Sequence, residues 1–179
     1  MKLAKDLKRF SDGSFLKGLY TVFLNSNFQM IFWYRVAHFF YKIHLSPISK
    51  LIMYFHKLTY SCDIDYRADL GGGLKIMHGI GIVIGSEVVS GENLTIYQGV
   101  TLGGNFGKKR EICGKSTGQP YIHNNVTLLA KCSAFGPCEI GNNSIVGANA
   151  VITKDVPDDT TVFTKAQRIE ISHISQDNE

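Results

Sequence analysis

Histidine and cysteine side chains are the groups in this sequence that could act as bases, nucleophiles or metal ligands. The cysteines, Cys62, Cys113, Cys132 and Cys138, form no C-x-x-C pair and lack the spacing of zinc ligands. We therefore expect reduced thiols and no metal. His78 lies in a glycine-rich turn, where a neutral imidazole could serve as a general base. Taken alone, a histidine in such a turn is more often a surface residue.

The composition narrows the class of protein. The chain has 179 residues, is 44% apolar, and carries 19 Lys and Arg against 15 Asp and Glu, a net charge of +4. The apolar fraction excludes a wholly disordered chain, and the scattered basic excess does not predict a nucleic-acid partner. Polar residues interrupt the longest uncharged stretch, 18–34, so we expect neither a membrane span nor a signal peptide. A cytoplasmic protein is expected, with contact to the inner face of the membrane left open.

Residues 1–60 are predicted to be helical. Ser14 is a candidate cap for a helix through Leu24, residues 28–43 contain almost no helix breakers, and Pro47 suits the first turn of a helix that runs to Tyr60. In the middle helix Arg35, His38 and Lys42 are three and four residues apart, which predicts one polar stripe with solvated charges.

The same helix also allows another interpretation. A helix that lies on a membrane surface would use its aromatic residues as the buried face. Those residues are Phe32, Trp33, Phe39 and Phe40.

From residue 61 to residue 162 the sequence has a period of six. One register holds Ile122, Leu128, Ala134, Ile140, Val146 and Ile152. An upstream register holds Ile64, Leu70 and Ile76 and then, after a slip of two residues, Ile84, Ser90, Ile96 and Leu102, with Ser90 as the misfit. Such repeats are typical of a parallel β-helix in which each coil buries the apolar row of its neighbour.

This interpretation makes three structural predictions. Three units per coil stack every eighteenth residue. Cys132 and Cys138, one unit apart, then lie on different sides of the prism and form no disulfide. The polar segment 105–119 leaves the repeat as a long loop, which is usually functional or disordered. Outside the repeat, we expect residues 163–179 to form a C-terminal tail.

Several motifs resemble the hexapeptide-repeat acyltransferases, and in particular serine O-acetyltransferase and its relatives that acetylate capsular or exopolysaccharide sugars. The motifs are YRVAH at 34–38, DI at 63–64, HG at 78–79, QGVTLGG at 98–104 and GANAVITKDVP at 147–157. The resemblance implies a left-handed parallel β-helix, a homotrimer, and acetyl-CoA as the co-substrate, bound in clefts between subunits.

The resemblance also implies site residues. Asp63 and His78 match the catalytic aspartate and histidine of the family. A histidine can remove the proton of a hydroxyl as it attacks a thioester, and a carboxylate on the far ring nitrogen orients it. Matched positions for coenzyme binding are Gly103, Gly104, Ala130, Ala148, Lys154 and Arg168. The alternative roles are turn geometry for the glycines and a solvated surface for the two cations.

Two departures from the serine enzymes bear on the acceptor. Met77 stands where they have an acidic residue, and residues 116–120 lack their histidine. Because these groups hold the charged ends of an amino acid, we expect a neutral hydroxyl acceptor, a sugar of a cell-surface polysaccharide. Serine O-acetyltransferase of cysteine biosynthesis is the alternative.

Two other classes stay open. A zinc enzyme of the carbonic anhydrase type needs three histidines, whereas the β-helix offers His78 and His123. A non-catalytic β-helix scaffold would have no reason to combine the Asp63 and His78 pair with the QGVTLGG motif.

Overall fold

The computed structural model describes residues 1–165, so Arg168 and most of the C-terminal tail lie outside the described residues. Four helices come first: α1 Lys2–Ser11, α2 Phe15–Leu24, α3 Ser26–Lys42 and α4 Ser46–Tyr60. Asn25 caps α3, because its side-chain oxygen accepts a hydrogen bond from the Phe28 backbone N–H at 3.1 Å. Ser14 precedes α2 as expected but makes no side-chain cap bond. No helix among residues 1–165 has the length and apolar character needed to cross a bilayer.

Short strands follow, and they stack into three parallel sheets. The first sheet contains β1 Asp63–Ile64, β3 Val83–Ile84, β6 Thr101–Gly104, β11 Ser133–Gly136 and β14 Val151–Ile152. The second contains β2 Lys75–Ile76, β5 Thr95–Ile96, β10 Thr127–Leu128, β13 Ile145–Val146 and β15 Thr161–Val162. The third contains β4 Val89–Ser90, β9 Tyr121–Ile122 and β12 Glu139–Ile140. The chain visits the sheets in turn, which makes a parallel β-helix of triangular section.

The strand register confirms the spacing of eighteen residues. Val83 pairs with Thr101, and Thr127 pairs with Ile145, each eighteen positions further along the chain. Asp63 pairs with Val83 across twenty positions, as the slip of two residues predicts. Thr101 pairs with Ser133, because the extruded loop lies between them. The apolar residue of each hexapeptide points inward and is buried from Ile64 to Val156.

Ser90 fits the buried row because its hydroxyl is satisfied. Its Oγ accepts a hydrogen bond from the Gly71 backbone N–H at 3.1 Å and donates to the Gly91 carbonyl at 3.2 Å. The cysteines behave as expected: all four are free, and Cys132 and Cys138 are buried ahead of strands in different sheets.

The segment 105–119 has structure of its own. Strands β7 Arg110–Ile112 and β8 Lys115–Thr117 form an antiparallel hairpin. Arg110 attaches this hairpin to the end of the β-helix, donating from Nη1 and Nη2 to the Asp155 carboxylate at 2.8 and 2.9 Å.

The prediction of a solvated polar stripe on α3 is wrong. Arg35 and His38 are buried, and only Lys42 is exposed. The Arg35 guanidinium donates to both carboxylate oxygens of Asp6, at 2.9 and 3.2 Å, and to the Leu70 carbonyl at 2.6 Å. The polar stripe therefore faces the β-helix, where the first coil offers free carbonyl groups.

Candidate active site

Asp63 is the first residue of the first sheet and lies at an edge of the triangular β-helix. This edge, the His78 edge, is formed by the corners that lead from the second sheet into the first. The Asp63 side chain is exposed, and its Oδ2 accepts from the Lys57 Nζ of α4 at 2.5 Å. The lysine was not anticipated as a partner, since nothing in the repeat pattern relates α4 to the first strand.

His78 lies at the same edge, one coil further along. It follows β2 by two residues, in the corner that leads to β3, and the Gly81 N–H of that corner donates to the Ser61 carbonyl beneath it at 2.9 Å. The imidazole is exposed, and its centroid lies 6.3 Å from that of the Tyr97 ring. Within residues 1–165 no hydrogen bond joins His78 to Asp63; the two flank one corner from opposite sides, and the carboxylate is engaged by Lys57 instead.

Further residues line the His78 edge. Ile76, Ile96, Leu128 and Val146 pair in sequence across the second sheet. At the corner that follows these strands, Gln98, Ala130 and Ala148 stack in a column on Ile80 and not on His78, because the slip of two residues falls in this corner and the Gly99 N–H donates to the Ile80 carbonyl at 2.9 Å. Backbone bonds hold this column together, including Asn149 N–H to the Ala130 carbonyl at 3.0 Å and Lys131 N–H to the Gln98 carbonyl at 2.8 Å. The fold thus places the catalytic candidate and two coenzyme candidates along one edge.

Gln98 is a member of this column that the sequence interpretation did not single out. Its Oε1 is buried and has no hydrogen-bond partner in the described part of the chain. A buried carbonyl oxygen without a donor is costly in a protein interior. The signal in the sequence was its position at the start of the QGVTLGG motif.

The remaining described candidates lie at the opposite edge of the first sheet. Gly104 pairs with Gly136, and continuing the register of β11 and β14 by two residues brings Lys154 into the same line. Lys154 is exposed and forms no ion pair within residues 1–165. Within one chain the structure therefore separates Gly103, Gly104 and Lys154 from the His78 edge.

Packing does not explain the two glycines. A Cβ on Gly103 would meet its nearest neighbour, a Phe135 ring carbon, at 3.8 Å, and a Cβ on Gly104 would meet the Gly118 carbonyl oxygen at 3.5 Å. Both are ordinary contacts. At Gly136, in contrast, a Cβ would lie 2.3 Å from the Gln119 backbone. Only the last glycine is required by the chain's own packing.

The cysteine beside Asp63 is not a nucleophile. Cys62 is buried, and burial raises the pKa of its thiol to about 12. Its Sγ lies 3.7 Å from His56 Nδ1, while His56 Nε2 lies 3.1 Å from the Met30 carbonyl. That carbonyl requires the proton on Nε2, so Nδ1 accepts the S–H. Burial lowers the pKa of His56, which keeps the pair neutral.

The other histidine of the β-helix, His123, lies on a different face and contacts a carboxylate there. His123 Nε2 lies 3.1 Å from the Glu139 Oε2 in the third sheet. Between residues 1 and 165, no three His, Cys, Asp or Glu side chains come together as a metal site would require.

Comparison with known proteins agrees with this architecture. Residues 119–154 match the family model for the bacterial transferase hexapeptide, six repeats. Serine acetyltransferase of Synechococcus elongatus is 38% identical over 147 residues, 81% of this chain and 57% of that protein. Serine acetyltransferase of Helicobacter pylori is 35% identical over 139 residues, 76% of this chain and 77% of that protein.

The chain belongs to the hexapeptide-repeat transferase family. A solved structure of serine acetyltransferase from Brucella abortus strain S19, in complex with coenzyme A, superimposes with a TM-score of 0.79 at 29% identity, covering 93% of this chain and 65% of that one. These hexapeptide-repeat relatives are serine acetyltransferases, so the comparisons support the expected family at this level and favour the alternative acceptor over the sugar. The chain spans only 57% of the length of the Synechococcus protein.

Proposed function

We propose that this chain is an acetyl-CoA-dependent O-acetyltransferase and that L-serine is its acceptor. The observation that carries the proposal is the His78 edge: an exposed imidazole lies at the same edge as Ala130 and Ala148, in a chain whose relatives are serine acetyltransferases. Coenzyme A in the related Brucella structure supports the donor.

His78 is proposed as the general base. It removes the proton of the acceptor hydroxyl while that oxygen attacks the thioester carbon, and it returns the proton to the sulfur that leaves as the CoA thiol. Asp63 is the proposed orienting carboxylate; it would act through Oδ1, since Lys57 binds Oδ2 and no hydrogen bond joins Asp63 to His78 within the described chain. Such a carboxylate fixes the tautomer and stabilises the imidazolium that forms. A positioned base contributes about 10²–10⁴-fold to the rate.

The separation of the candidates supports a site between subunits. Gly103, Gly104 and Lys154 can contact the same coenzyme as His78 only if a second copy brings its opposite edge to the His78 edge. A left-handed winding and a homotrimer, as the resemblance implies, belong to this proposal. Lys154 and Arg168 are the proposed phosphate contacts.

A neutral hydroxyl acceptor is the second candidate. Met77, next to the proposed base, offers no charge to an ammonium group, and an amino acid whose charges lack partners binds poorly. A sugar hydroxyl needs no such partner.

Release of the CoA thiol by the purified protein tests both candidates. With acetyl-CoA and L-serine we expect O-acetylserine, and we expect His78→Ala to lower turnover by about 10²-fold or more. The matched control is His123→Ala, a histidine on the third sheet, which should keep turnover. Transfer to methyl glycosides but not to L-serine would establish the second candidate, and unchanged turnover in His78→Ala would remove His78 from the mechanism.

The coenzyme contact has a separate readout. Lys154→Ala should raise the KM for acetyl-CoA more than the KM for the acceptor, because a phosphate contact acts on the donor. An equal or reversed effect would contradict the assignment.

A further inference from the structure

Lys131 lies at the His78 edge with a backbone conformation that lysine rarely adopts. Its φ is +58°, in the left-handed region. The three nearest corners of this edge have the same conformation, but glycine or asparagine forms them: Gly81 and Gly99 on the side of His78, and Asn149 on the other side. Glycine and asparagine tolerate positive φ, whereas a long side chain makes it strained. Strained residues cluster at active sites and ligand clamps, which makes the Lys131 side chain a candidate for function.

The Lys131 side chain extends along the edge toward the corner of His78. A Cβ built on Gly99, one coil nearer to His78, would lie 3.0 Å from Lys131 Cγ. The bare backbone of Gly99 therefore gives the aliphatic part of the lysine its place. Lys131 is exposed, and within residues 1–165 its ammonium forms no ion pair. The strained corner therefore places an ammonium group at the edge where the proposed base lies.

The surroundings of Lys131 leave room for a bound molecule with negative charge. Ala130 precedes it and Ala148 lies one coil beyond, and both side chains are short. Asp63, the carboxylate at the first coil of the edge, is bound by Lys57. An anion at this edge would meet the Lys131 ammonium. Phosphate is a strong acceptor for such a charged donor, and acetyl-CoA carries phosphate groups.

The distance from His78 indicates which substrate Lys131 contacts. Two coils separate the corner of His78 from that of Lys131. Because adjacent coils lie about 4.8 Å apart, the two corners are about 10 Å apart along the axis. In L-serine the carboxylate and the hydroxyl are on neighbouring carbons, so the carboxylate stays beside the base. In acetyl-CoA the pantetheine arm separates the thioester from the phosphates. The position of Lys131 therefore fits the donor.

We propose that Lys131 binds a phosphate group of the coenzyme on the same subunit whose His78 acts as the base. The proposal rests on the proposed acetyl transfer, which supplies the donor. It differs from the assignment of Lys154, which lies at the opposite edge and needs a second copy to reach the same coenzyme. A coenzyme in the cleft is then held by cations from both subunits.

Calorimetric titration of the full chain with CoA tests the proposal. Lys131→Gly should raise the Kd for CoA about 10-fold or more, because a hydrogen bond between charged groups is lost. It should leave the kcat/KM for acetyl-pantetheine, a donor without phosphates, unchanged. Lys131→Arg keeps the charge and should restore the affinity for CoA. The matched control is Asn125→Gly, which puts glycine at an exposed left-handed position of another edge and should bind CoA like the wild type.

Thermal melting separates this role of Lys131 from a structural one. Glycine accepts the left-handed backbone, so Lys131→Gly should melt at the temperature of the wild type or above it, while it binds CoA more weakly. A residue that only supported the fold would lower the melting temperature and the affinity together.

Four results would overturn the proposal. If the wild type binds CoA and Lys131→Gly binds it equally well, the role of Lys131 fails and the proposed acetyl transfer stands. If the variant loses activity with acetyl-pantetheine as much as with acetyl-CoA, Lys131 does not contact a phosphate. A smaller particle for Lys131→Gly in light scattering would assign the lysine to a contact between subunits. A wild type that does not bind CoA would contradict the proposed function and this inference with it.

Discussion

The helices and the β-helix of this chain differ in how they place polar and apolar residues, although both bury apolar residues such as Ile31 and Tyr34 of α3. In the β-helix the apolar residue of each hexapeptide is buried, and polar turn residues face the solvent. In the helices the buried groups include Asp6, Arg35, His38 and His56, whereas leucines and aromatic residues of α2 and α4 are exposed. The β-helix buries its apolar residues within one chain, and its functional candidates lie at the edges between its sheets. The helices use polar groups to hold the first coil and leave an apolar surface exposed.

The largest expected effect comes from the ion pair beneath α1. Asp6 is fully buried, and it accepts from Arg35 and from the Leu74 N–H at 2.7 Å. Asp6→Ala leaves a buried guanidinium without its charge partner, which should lower the free energy of unfolding by about 3–5 kcal/mol. Denaturant titration measures this value. Lys17→Ala, which breaks an exposed pair, is the control and should cost at most about 1 kcal/mol. Equal losses would mean that the buried pair does not hold the helices.

A second test uses pH to distinguish the helices from the β-helix, because the two histidines with lowered pKa values lie in the helices. Burial lowers the pKa of His38 and His56 below the ordinary value of 6.5. Below about pH 6.5 the unfolded chain then binds protons that the folded chain does not, so stability falls as the pH is lowered. The slope is at most about 1.4 kcal/mol per pH unit for each imidazole.

Titration of thermal stability between neutral pH and pH 5 measures that slope. His56→Gln should reduce the slope of stability against pH. His123→Gln should leave this slope unchanged, because His123 is a partly exposed residue next to the third sheet. Loss of stability that begins only near the carboxylate range would contradict the role given to the buried histidines.

The smallest effect concerns the polar turns of the β-helix. Asn125 has a φ of +59° and exchanges side-chain hydrogen bonds with Asn93 and Asn143 in adjacent coils, at 2.9 and 3.0 Å. Asn125→Gly removes these bonds but accepts the left-handed backbone, at a cost of about 1 kcal/mol. Asn125→Ala adds strain, so it should melt at a lower temperature than the glycine variant. The reverse order would show that the backbone of this turn is not strained.

Much of the β-helix could be predicted from the sequence. Its period of six, its slip of two residues and its inserted segment all appear in the strand register, because each coil repeats the same local rule. The polar stripe of α3 could not be predicted in the same way. Arg35 and His38 have the spacing of a solvated face, and only the position of the first coil, with its free carbonyl groups and with Asp6 beside it, makes burial favourable.

In the candidate site, too, some features could be predicted from the sequence and others depend on the tertiary structure. The motifs around Asp63 and His78 identify the family and the residue types for proton transfer. That His78, Gln98, Ala130 and Ala148 share one edge depends on where each coil turns. That Lys57 binds Asp63 depends on how α4 meets the first strand. The order of residues determines the local period of six. Contacts between a helix and a coil, and between one coil edge and another, depend on the tertiary structure, because they form only when the chain has folded into the triangular β-helix.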